Sequence, residues 1–166
     1  MTKRHRIMQY MRFAAAVCVA VCMFSASADA VSRYAEGNRL QSAGDFYGAI
    51  EIYREVLNEN PSYGDAWKSF AECAYEISEY GLCLSCVDHA LELHNNNPDL
   101  HNLRAFALIG ATRFAEAREE FLFVLSSYPN DVQARFGLAE LNVAEGKTAA
   151  ATELYRDALV RQPENR

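Results

Sequence analysis

Three cysteines near the middle of the chain are the residues whose types and spacing could do chemistry. Cys83 and Cys86 form a C-x-x-C pair, and Cys73 precedes them. Such thiols can form a disulfide or exchange disulfides, or they can bind zinc with His89 as a further ligand. Redox catalysis needs the first cysteine at a helix N-terminus, where the helix dipole lowers the thiol pKa. The choice therefore depends on where the helices begin.

Two other patterns fall short of a catalytic site. Gly146-Lys147-Thr148 resembles the end of a phosphate-binding loop, but that motif needs an earlier glycine where this chain has Leu141. Three carboxylates are spaced as a solvated helix face: Glu116, Glu119 and Glu120. The sequence therefore predicts a non-catalytic protein without a cofactor or a metal.

The elements that carry these residues repeat along the chain. Four similar segments begin at residues 44, 78, 112 and 146, so each start is 34 residues from the last. In the first segment the apolar residues recur at gaps of three and four, which marks one face of an α-helix. These residues are Phe46, Ala49, Ile50, Tyr53, Val56 and Leu57. A fixed period of this length is typical of a repeat architecture.

The period divides the chain into four units, 30–63, 64–97, 98–131 and 132–165, and a position is counted from the first residue of each unit. Each unit is predicted to hold a first helix, a turn at positions 15 and 16, and a second helix. Small residues at positions 8 and 20 let the two helices approach closely. They are Gly37, Ala71, Ala105 and Ala139, and Ala49, Cys83, Ala117 and Ala151.

Cys83 therefore lies inside a second helix, at a position that favours small buried side chains. This favours an ordinary buried thiol. A disulfide among Cys73, Cys83 and Cys86 remains an alternative, and so does a thiol redox or metal-handling function for the same residues.

At these residues the chain resembles the tetratricopeptide repeat (TPR) family. Trp67 stands at position 4, aromatic residues stand at position 17 of three units, and prolines close three units at Pro61, Pro129 and Pro163. The resemblance covers residues 31–166 and implies an all-α, right-handed solenoid of four helix–turn–helix units with about eight helices. It also implies a protein–protein interaction scaffold. Two departures stand out: Gly81 in a second helix, and Arg104 at position 7, where two sister units have Phe70 and Leu138.

In this family, positions 2, 5, 9, 12 and 13 of the first helices line a concave groove that holds a partner segment. The resemblance assigns these groove residues: Tyr34, Asn38, Asp65, Glu72, Tyr75, Glu76, Asn102, Phe106, Phe136 and Glu140. No Lys or Arg is expected in the groove, so the basic clamp of chaperone-binding relatives is absent. Aromatic and acidic side chains together predict a protein or peptide partner with basic and apolar residues.

The first thirty residues predict a secretory signal peptide. Four basic residues precede an uncharged run, 13–24, and Ala28 and Ala30 follow in an A-x-A arrangement. The run is shorter than the roughly 20 residues needed to span a membrane. We therefore expect cleavage after residue 30, no membrane span in the mature chain, and a periplasmic protein in a bacterium or a secreted one otherwise. An alternative is the N-terminal interaction module of a larger envelope protein.

The predicted mature chain is acidic. Removing residues 1–30 leaves 12 basic and 21 acidic side chains, a formal charge of −9. This disfavours nucleic acid and anionic membranes as partners.

Two further contact surfaces are expected from the repeat pattern. Leu82, Leu122 and Phe123 are predicted to form an apolar patch on the convex face. Only Arg166 follows the fourth unit, so Leu159 and the face of 149–154 are expected to lack a covering helix and to allow self-association.

Overall fold

The computed structural model describes residues 29–161, apart from the side chains of Ala158, Leu159 and Arg161. The predicted signal sequence, but for its last two residues, lies outside this range. Within it the chain forms eight α-helices and no β-strand. They are α1 (29–42), α2 (Phe46–Glu59), α3 (Gly64–Glu76), α4 (Tyr80–Leu93), α5 (Pro98–Gly110), α6 (Phe114–Ser127), α7 (Val132–Ala144) and α8 (Thr148–Arg161). No described helix is long and apolar enough to cross a membrane.

The helices form two layers, and neighbouring helices lie closer together in one layer than in the other. Consecutive helices pack on each other, and the odd-numbered helices also meet directly, α3 with α5 and α5 with α7. Among α2 to α8 the even-numbered helices contact only their neighbours in sequence. The odd-numbered helices therefore line the inner, concave face, and the even-numbered helices form the convex face. This arrangement confirms the predicted all-α solenoid of four helix–turn–helix units.

Small residues bring the two helices of a unit together, as the sequence predicts. Ala71, Ala105, Ala139 and their partners at position 20 are almost fully buried. At Gly37 a Cβ would lie 2.5 Å from a ring carbon of Tyr53, which is itself completely buried. The large side chain at position 24 therefore fills the space that the small residues leave.

The turn inside each unit requires a left-handed residue at position 15. The φ angles there are +81° at Gly44, +62° at Ser78, +60° at Thr112 and +75° at Gly146. Glycine adopts this conformation without steric cost, whereas a residue with a Cβ is strained by about 1–2 kcal/mol. Thr112 is β-branched, so it is the most strained of the four.

We expect Thr112→Gly to raise the free energy of unfolding by about 1 kcal/mol, because it relieves this strain. Urea denaturation followed by circular dichroism measures the change. Thr152 is helical, and the same substitution there should bring no gain, because glycine is a poor helix former. Equal effects at the two threonines would contradict the account.

A repeated hydrogen bond ties each unit to the one before it. Trp67 Nε1 donates to the carbonyl oxygen of Pro61 over 2.8 Å, and His101 Nε2 lies 3.2 Å from the carbonyl oxygen of Asn95. Arg135 donates to the carbonyl oxygen of Pro129. In each pair a nitrogen at position 4 meets the carbonyl at position 32 of the preceding unit. Three different side chains thus make the same contact, and proline is not needed at position 32.

Arg104 stands at a position that is apolar in two sister units, and it belongs to a charged cluster that replaces apolar packing in the third unit. Its guanidinium group contacts Glu120, and its Nε lies 3.2 Å from Asp88 Oδ1. His101 Nδ1 lies 2.7 Å from the other oxygen of Glu120. Glu120 occupies position 23, which holds Ile52, Cys86 and Leu154 in the sister units. The acid and the two nitrogen-bearing side chains therefore balance one another between α5 and α6.

Candidate functional site

The concave face contains two adjoining clefts. The central cleft encloses about 320 Å³ and is lined by Lys68, Glu72, Tyr75, Glu76, Asp99, Leu103, Phe106 and Gln133. The N-terminal cleft encloses about 630 Å³ and is lined by Asn38, Gln41, Ser42, Phe46, Ser69, Glu72 and Glu76. Every lining residue except Phe46 comes from an odd-numbered helix. Glu72 and Glu76 belong to both clefts, so the two form one concave groove.

The wall of the N-terminal cleft is a network of polar side chains. The hydroxyl of the buried Tyr53 lies 2.8 Å from Asn38 Oδ1 and 2.7 Å from Gln41 Oε1. Burial raises the pKa of Tyr53, so the hydroxyl keeps its proton and donates. Gln41 in turn donates to Glu72 over 3.0 Å. The network holds the amide groups of Asn38 and Gln41 in fixed positions on the groove.

Tyr34, which was assigned to the groove, lines neither cleft. Its hydroxyl is 3.1 Å from Ser69 Oγ, and its ring packs 4.9 Å from the ring of Tyr63. Tyr34 therefore joins the first unit to the second.

The central cleft contains a basic side chain, although no Lys or Arg was expected in the groove. Lys68 occupies position 5 of the second unit, and its Nζ lies 3.0 Å from Asp99 Oδ2 and 4.0 Å from Glu72 Oε1. Burial lowers the pKa of Lys68, but the hydrogen bond to Asp99 and the neighbouring carboxylates outweigh this and raise it. The expectation of a groove without Lys or Arg is therefore wrong. Lys68 is nevertheless compensated by its own acids.

Glu76 differs from the other acids of the groove. It is exposed, it lines both clefts, and it has no ion-pair partner among residues 29–161. Glu72 is already engaged by Gln41 and Lys68, and Asp99 is engaged by Lys68. Glu76 is thus the carboxylate that remains available to a bound cation.

The aromatic side chains contribute to the groove to different degrees. Phe106 is half-buried beside Leu103 and packs edge-on against Phe121 at 5.2 Å. Tyr75 lines the same cleft and packs against Tyr80. Phe136 is 45% exposed, but it lies against Tyr155 and outside both clefts. The apolar surface of the groove is therefore concentrated in the central cleft.

Of the ten residues assigned to the groove, Asn38, Glu72, Tyr75, Glu76 and Phe106 line the clefts. Asn102 was assigned wrongly. It is only 1% exposed, because its Nδ2 donates to Asp131 Oδ1, which also caps α7.

Two acids assigned to the groove, Asp65 and Glu140, are exposed but line neither cleft. Partial desolvation raises the pKa of Glu140. Eight further residues line the groove: Gln41, Ser42, Phe46, Lys68, Ser69, Asp99, Leu103 and Gln133. Among them, Phe46, Ser69 and Leu103 stand outside the groove positions of the repeat. Leu103 stands at position 6, next to a groove position, and nothing in the sequence marked it.

The three central cysteines are free thiols in the interior. Cys73 and Cys83 are completely buried, and Cys86 is 2% exposed. The disulfide considered from the sequence is therefore not formed. Burial raises the pKa of each thiol to about 12, so thiolate is scarce at neutral pH. This environment is the opposite of the one that activates a redox cysteine.

The metal alternative finds no support in the same region. His89 is exposed and stacks on Trp67 at 4.5 Å. The described residues contain no group of three or more His, Cys, Asp or Glu side chains placed to hold a metal ion.

The buried thiols should make the fold sensitive to alkali. The folded pKa values of about 12 lie above the usual 8.5 or so of an unfolded cysteine. Between these values the unfolded chain loses protons that the folded chain keeps, so the free energy of unfolding should fall as the pH rises. Urea denaturation at pH values below and above about 8.5, the pKa of an unfolded cysteine, measures this decrease in the free energy of unfolding. Cys83→Ala, which installs the residue of the sister units, should make the fall smaller, and an unchanged fall would contradict the account.

The expected convex patch is smaller than the sequence indicates. Leu122 and Phe123 are 52% and 46% exposed, and the ring of Phe123 lies 4.6 Å from that of His101. Leu82 does not belong with them, because it is partly buried against the core of the first two units.

The surface expected to be uncovered at the last repeat is only partly described. Ala151 is buried and Leu154 packs on the core beside α7, whereas Val160 is exposed. The side chain of Leu159 lies outside the described residues. Self-association through this end therefore stays a prediction.

Family models for the tetratricopeptide repeat match residues 40–106 and residues 103–166. The chain belongs to the TPR family. Among curated protein sequences, none is significantly similar to it.

Several solved structures share this fold. MamA from Desulfovibrio magneticus RS-1 has a TM-score of 0.74 at 18% identity, covering 82% of this chain and 77% of the other. YrrB, described as a TPR protein with an unusual peptide-binding site, has a TM-score of 0.71 at 19% identity, covering 82% and 70%. The first TPR of Spaghetti (RPAP3), bound to the HSP90 peptide SRMEEVD, has a TM-score of 0.66 at 20% identity, covering 70% and 93%.

Proposed function

We propose that this TPR protein is an exported, non-catalytic scaffold that binds a segment of a partner protein in its concave groove. The observation that carries the proposal is the continuous groove itself, in which the unpaired Glu76 faces an apolar surface formed by Leu103 and Phe106. Two proteins of the same fold support peptide binding as the function of the concave face. The first TPR of RPAP3 is bound to an HSP90 peptide, and YrrB is described as having an unusual peptide-binding site.

The charges of the groove select the chemistry of the partner. The central cleft contains three carboxylates, Glu72, Glu76 and Asp99, against the single ammonium group of Lys68. An acidic segment would be repelled, whereas a segment with Lys or Arg would be attracted and oriented. Apolar side chains of the partner would supply affinity by covering Phe106 and Leu103.

Export is inferred from the basic, apolar and small-residue regions of residues 1–30. Expression of the full chain in a bacterium, followed by mass measurement of the periplasmic product, tests it. The expected product begins at Val31. A full-length product retained in the cytoplasm would refute export but leave the binding proposal unaffected.

Binding is tested with arrays of basic-apolar and acidic peptides. The wild type should prefer the basic-apolar array, and both Phe106→Ala and Glu76→Lys should weaken this preference. Glu55→Lys on α2 makes the same charge change away from the groove and serves as the control. Preference for acidic peptides, or equal binding by all four proteins, would refute the proposal.

A further inference from the structure

We propose that the junction between the second and third units is pH-sensitive: it is closed when His101 is protonated and loosened when His101 is neutral. The device lies in the body of the solenoid. It goes beyond the proposed function and does not depend on it.

The hydrogen bond between positions 4 and 32 is present at all three junctions between units, but its donor differs. The indole N–H of Trp67 and the guanidinium group of Arg135 keep their hydrogens at any pH near neutral. Histidine, in contrast, ordinarily changes charge between about pH 5 and 8. The middle junction is therefore the one of the three at which a change of pH can withdraw this bond.

Both ring nitrogens of His101 face acceptors. Nδ1 lies 2.7 Å from Glu120 Oε2, and Nε2 lies 3.2 Å from the carbonyl oxygen of Asn95. A neutral imidazole has one N–H, so in either tautomer one nitrogen would turn a lone pair toward an oxygen, whereas the imidazolium donates to both. A carboxylate is the stronger acceptor, so the neutral ring keeps its hydrogen on Nδ1. The bond that is lost is therefore the one to Asn95, which crosses the junction.

The charges around His101 suit a cation. Glu120 is also contacted by Arg104, whose Nε lies 3.2 Å from Asp88 Oδ1 on α4. Two carboxylates thus face one permanent cation in this cluster, and a protonated His101 makes the charges equal. The acids at the starts of α5 and α7 are engaged elsewhere, Asp99 by Lys68 of α3 and Asp131 by Asn102.

Little water can replace the lost partner. The side chain of His101 is 13% exposed, and the ring of Phe123 lies 4.6 Å from its own. A buried polar atom without a partner costs free energy, which the two units can relieve by moving apart. The hydroxyl of Tyr128 donates to the carbonyl oxygen of Asn96 over 3.3 Å, and this bond does not involve His101. Because this second bond remains, we expect the junction to loosen without separating.

The direction of the pH dependence follows from which form of His101 makes more contacts. As the pH falls through the ordinary range of histidine, the closed junction gains the bond to Asn95. As the pH rises, the junction loses it. Helices α3 and α5 lie on the two sides of this junction, and both line the central cleft, so loosening would also reach the concave groove.

Hydrogen exchange of the full chain, detected by NMR, measures the loosening at one matched amide in each junction. The amide at position 34 donates to the carbonyl at position 31: Tyr63 to Asn60, Asn97 to His94 and Asp131 to Tyr128. After correction for the intrinsic pH dependence of exchange, the protection of the Asn97 amide should fall relative to the other two as the pH rises. The expected fall between about pH 5.5 and 8 is about tenfold, the effect of one hydrogen bond with a charged donor. Nitrogen NMR of the His101 ring should show two N–H nitrogens at the lower pH and one at the higher.

Three variants isolate the role of His101. His101→Arg installs the permanent donor that Arg135 supplies at the next junction, so Asn97 should stay protected at both pH values. His101→Phe removes both bonds and should leave Asn97 as poorly protected at the lower pH as at the higher. The double variant His89→Gln with His94→Gln replaces the other histidines of the described chain, both exposed, and should keep the wild-type response.

Protection of Asn97 that follows Tyr63 and Asp131 at every pH would overturn the proposal, and so would two N–H nitrogens on His101 at both pH values. A full pH response in His101→Arg, or its loss in the double variant, would assign the effect to another group. None of these measurements involves a ligand, so their failure would leave the proposed function untouched.

Discussion

Gly137→Ala should lower the free energy of unfolding by about 1–3 kcal/mol although it adds only one methyl group. A Cβ at Gly137 would lie 2.1 Å from Cζ of Phe121, and three atoms of that ring are closer than any real contact allows. Phe121 is completely buried, so its ring has no space to withdraw. Alanine improves helix propensity by about 1 kcal/mol, but the overlap outweighs this gain.

The same substitution at Gly81 is the matched control. Gly81 is exposed in α4, and a Cβ there meets no atom within 4 Å. Gly81→Ala should therefore raise the free energy of unfolding by about 0.5–1 kcal/mol. Phe121→Leu removes the ring atoms that a Cβ at residue 137 would overlap. Gly137→Ala should therefore lower the free energy of unfolding less in the Phe121→Leu background than in the wild type. Equal effects at the two glycines would show that the close approach of α6 and α7 is wrong.

Glu120→Leu should lower the free energy of unfolding by about 2 kcal/mol. This is less than the cost of breaking a fully buried pair, because the Arg104 side chain is 33% exposed and keeps Asp88. The carboxylate of Glu120 is only 15% exposed, and it bonds both His101 and Arg104. Its removal leaves the guanidinium group without its nearest acid.

The double variant Arg104→Leu with Glu120→Leu should recover most of this loss, because packed apolar residues often replace an ion pair without cost. The sister units support this, since position 7 holds Phe70 and Leu138. Glu51→Ala breaks the exposed pair with Arg54 and should change little. Urea denaturation compares the four proteins. A double variant less stable than Glu120→Leu would mean that the charges do more than compensate each other.

The fold was predictable because the period, the helix faces and the small-residue positions are all local features of the sequence. Each 34-residue interval places Ala49, Cys83 and Ala117 at the same point of a helix pair, and all three are completely buried. The prediction that Cys83 is a buried thiol followed from the same rule and is confirmed. The register of the repeat alone decided these points.

The errors concern side chains whose surroundings come from another helix or its cap. Asn102 stands at a groove position, but its hydrogen bond to Asp131, the N-cap of α7, holds it in the interior. Leu82 stands on a convex helix but packs on the core of the first two units. Glu120 looks like a solvated acid until Arg104 and His101 are seen beside it. Such contacts depend on tertiary packing, which periodicity does not specify.

Titration of the isotope-labelled chain with a basic-apolar peptide that it binds, followed by backbone amide chemical shifts, tests the central claim most directly. The concave groove predicts that the largest shifts arise in α3 and α5, at residues such as Lys68, Glu76 and Phe106. The convex helices should change little. Shifts confined to Leu122, Phe123 and their neighbours on α6, with α3 and α5 unaffected, would contradict the assignment of the groove as the binding surface.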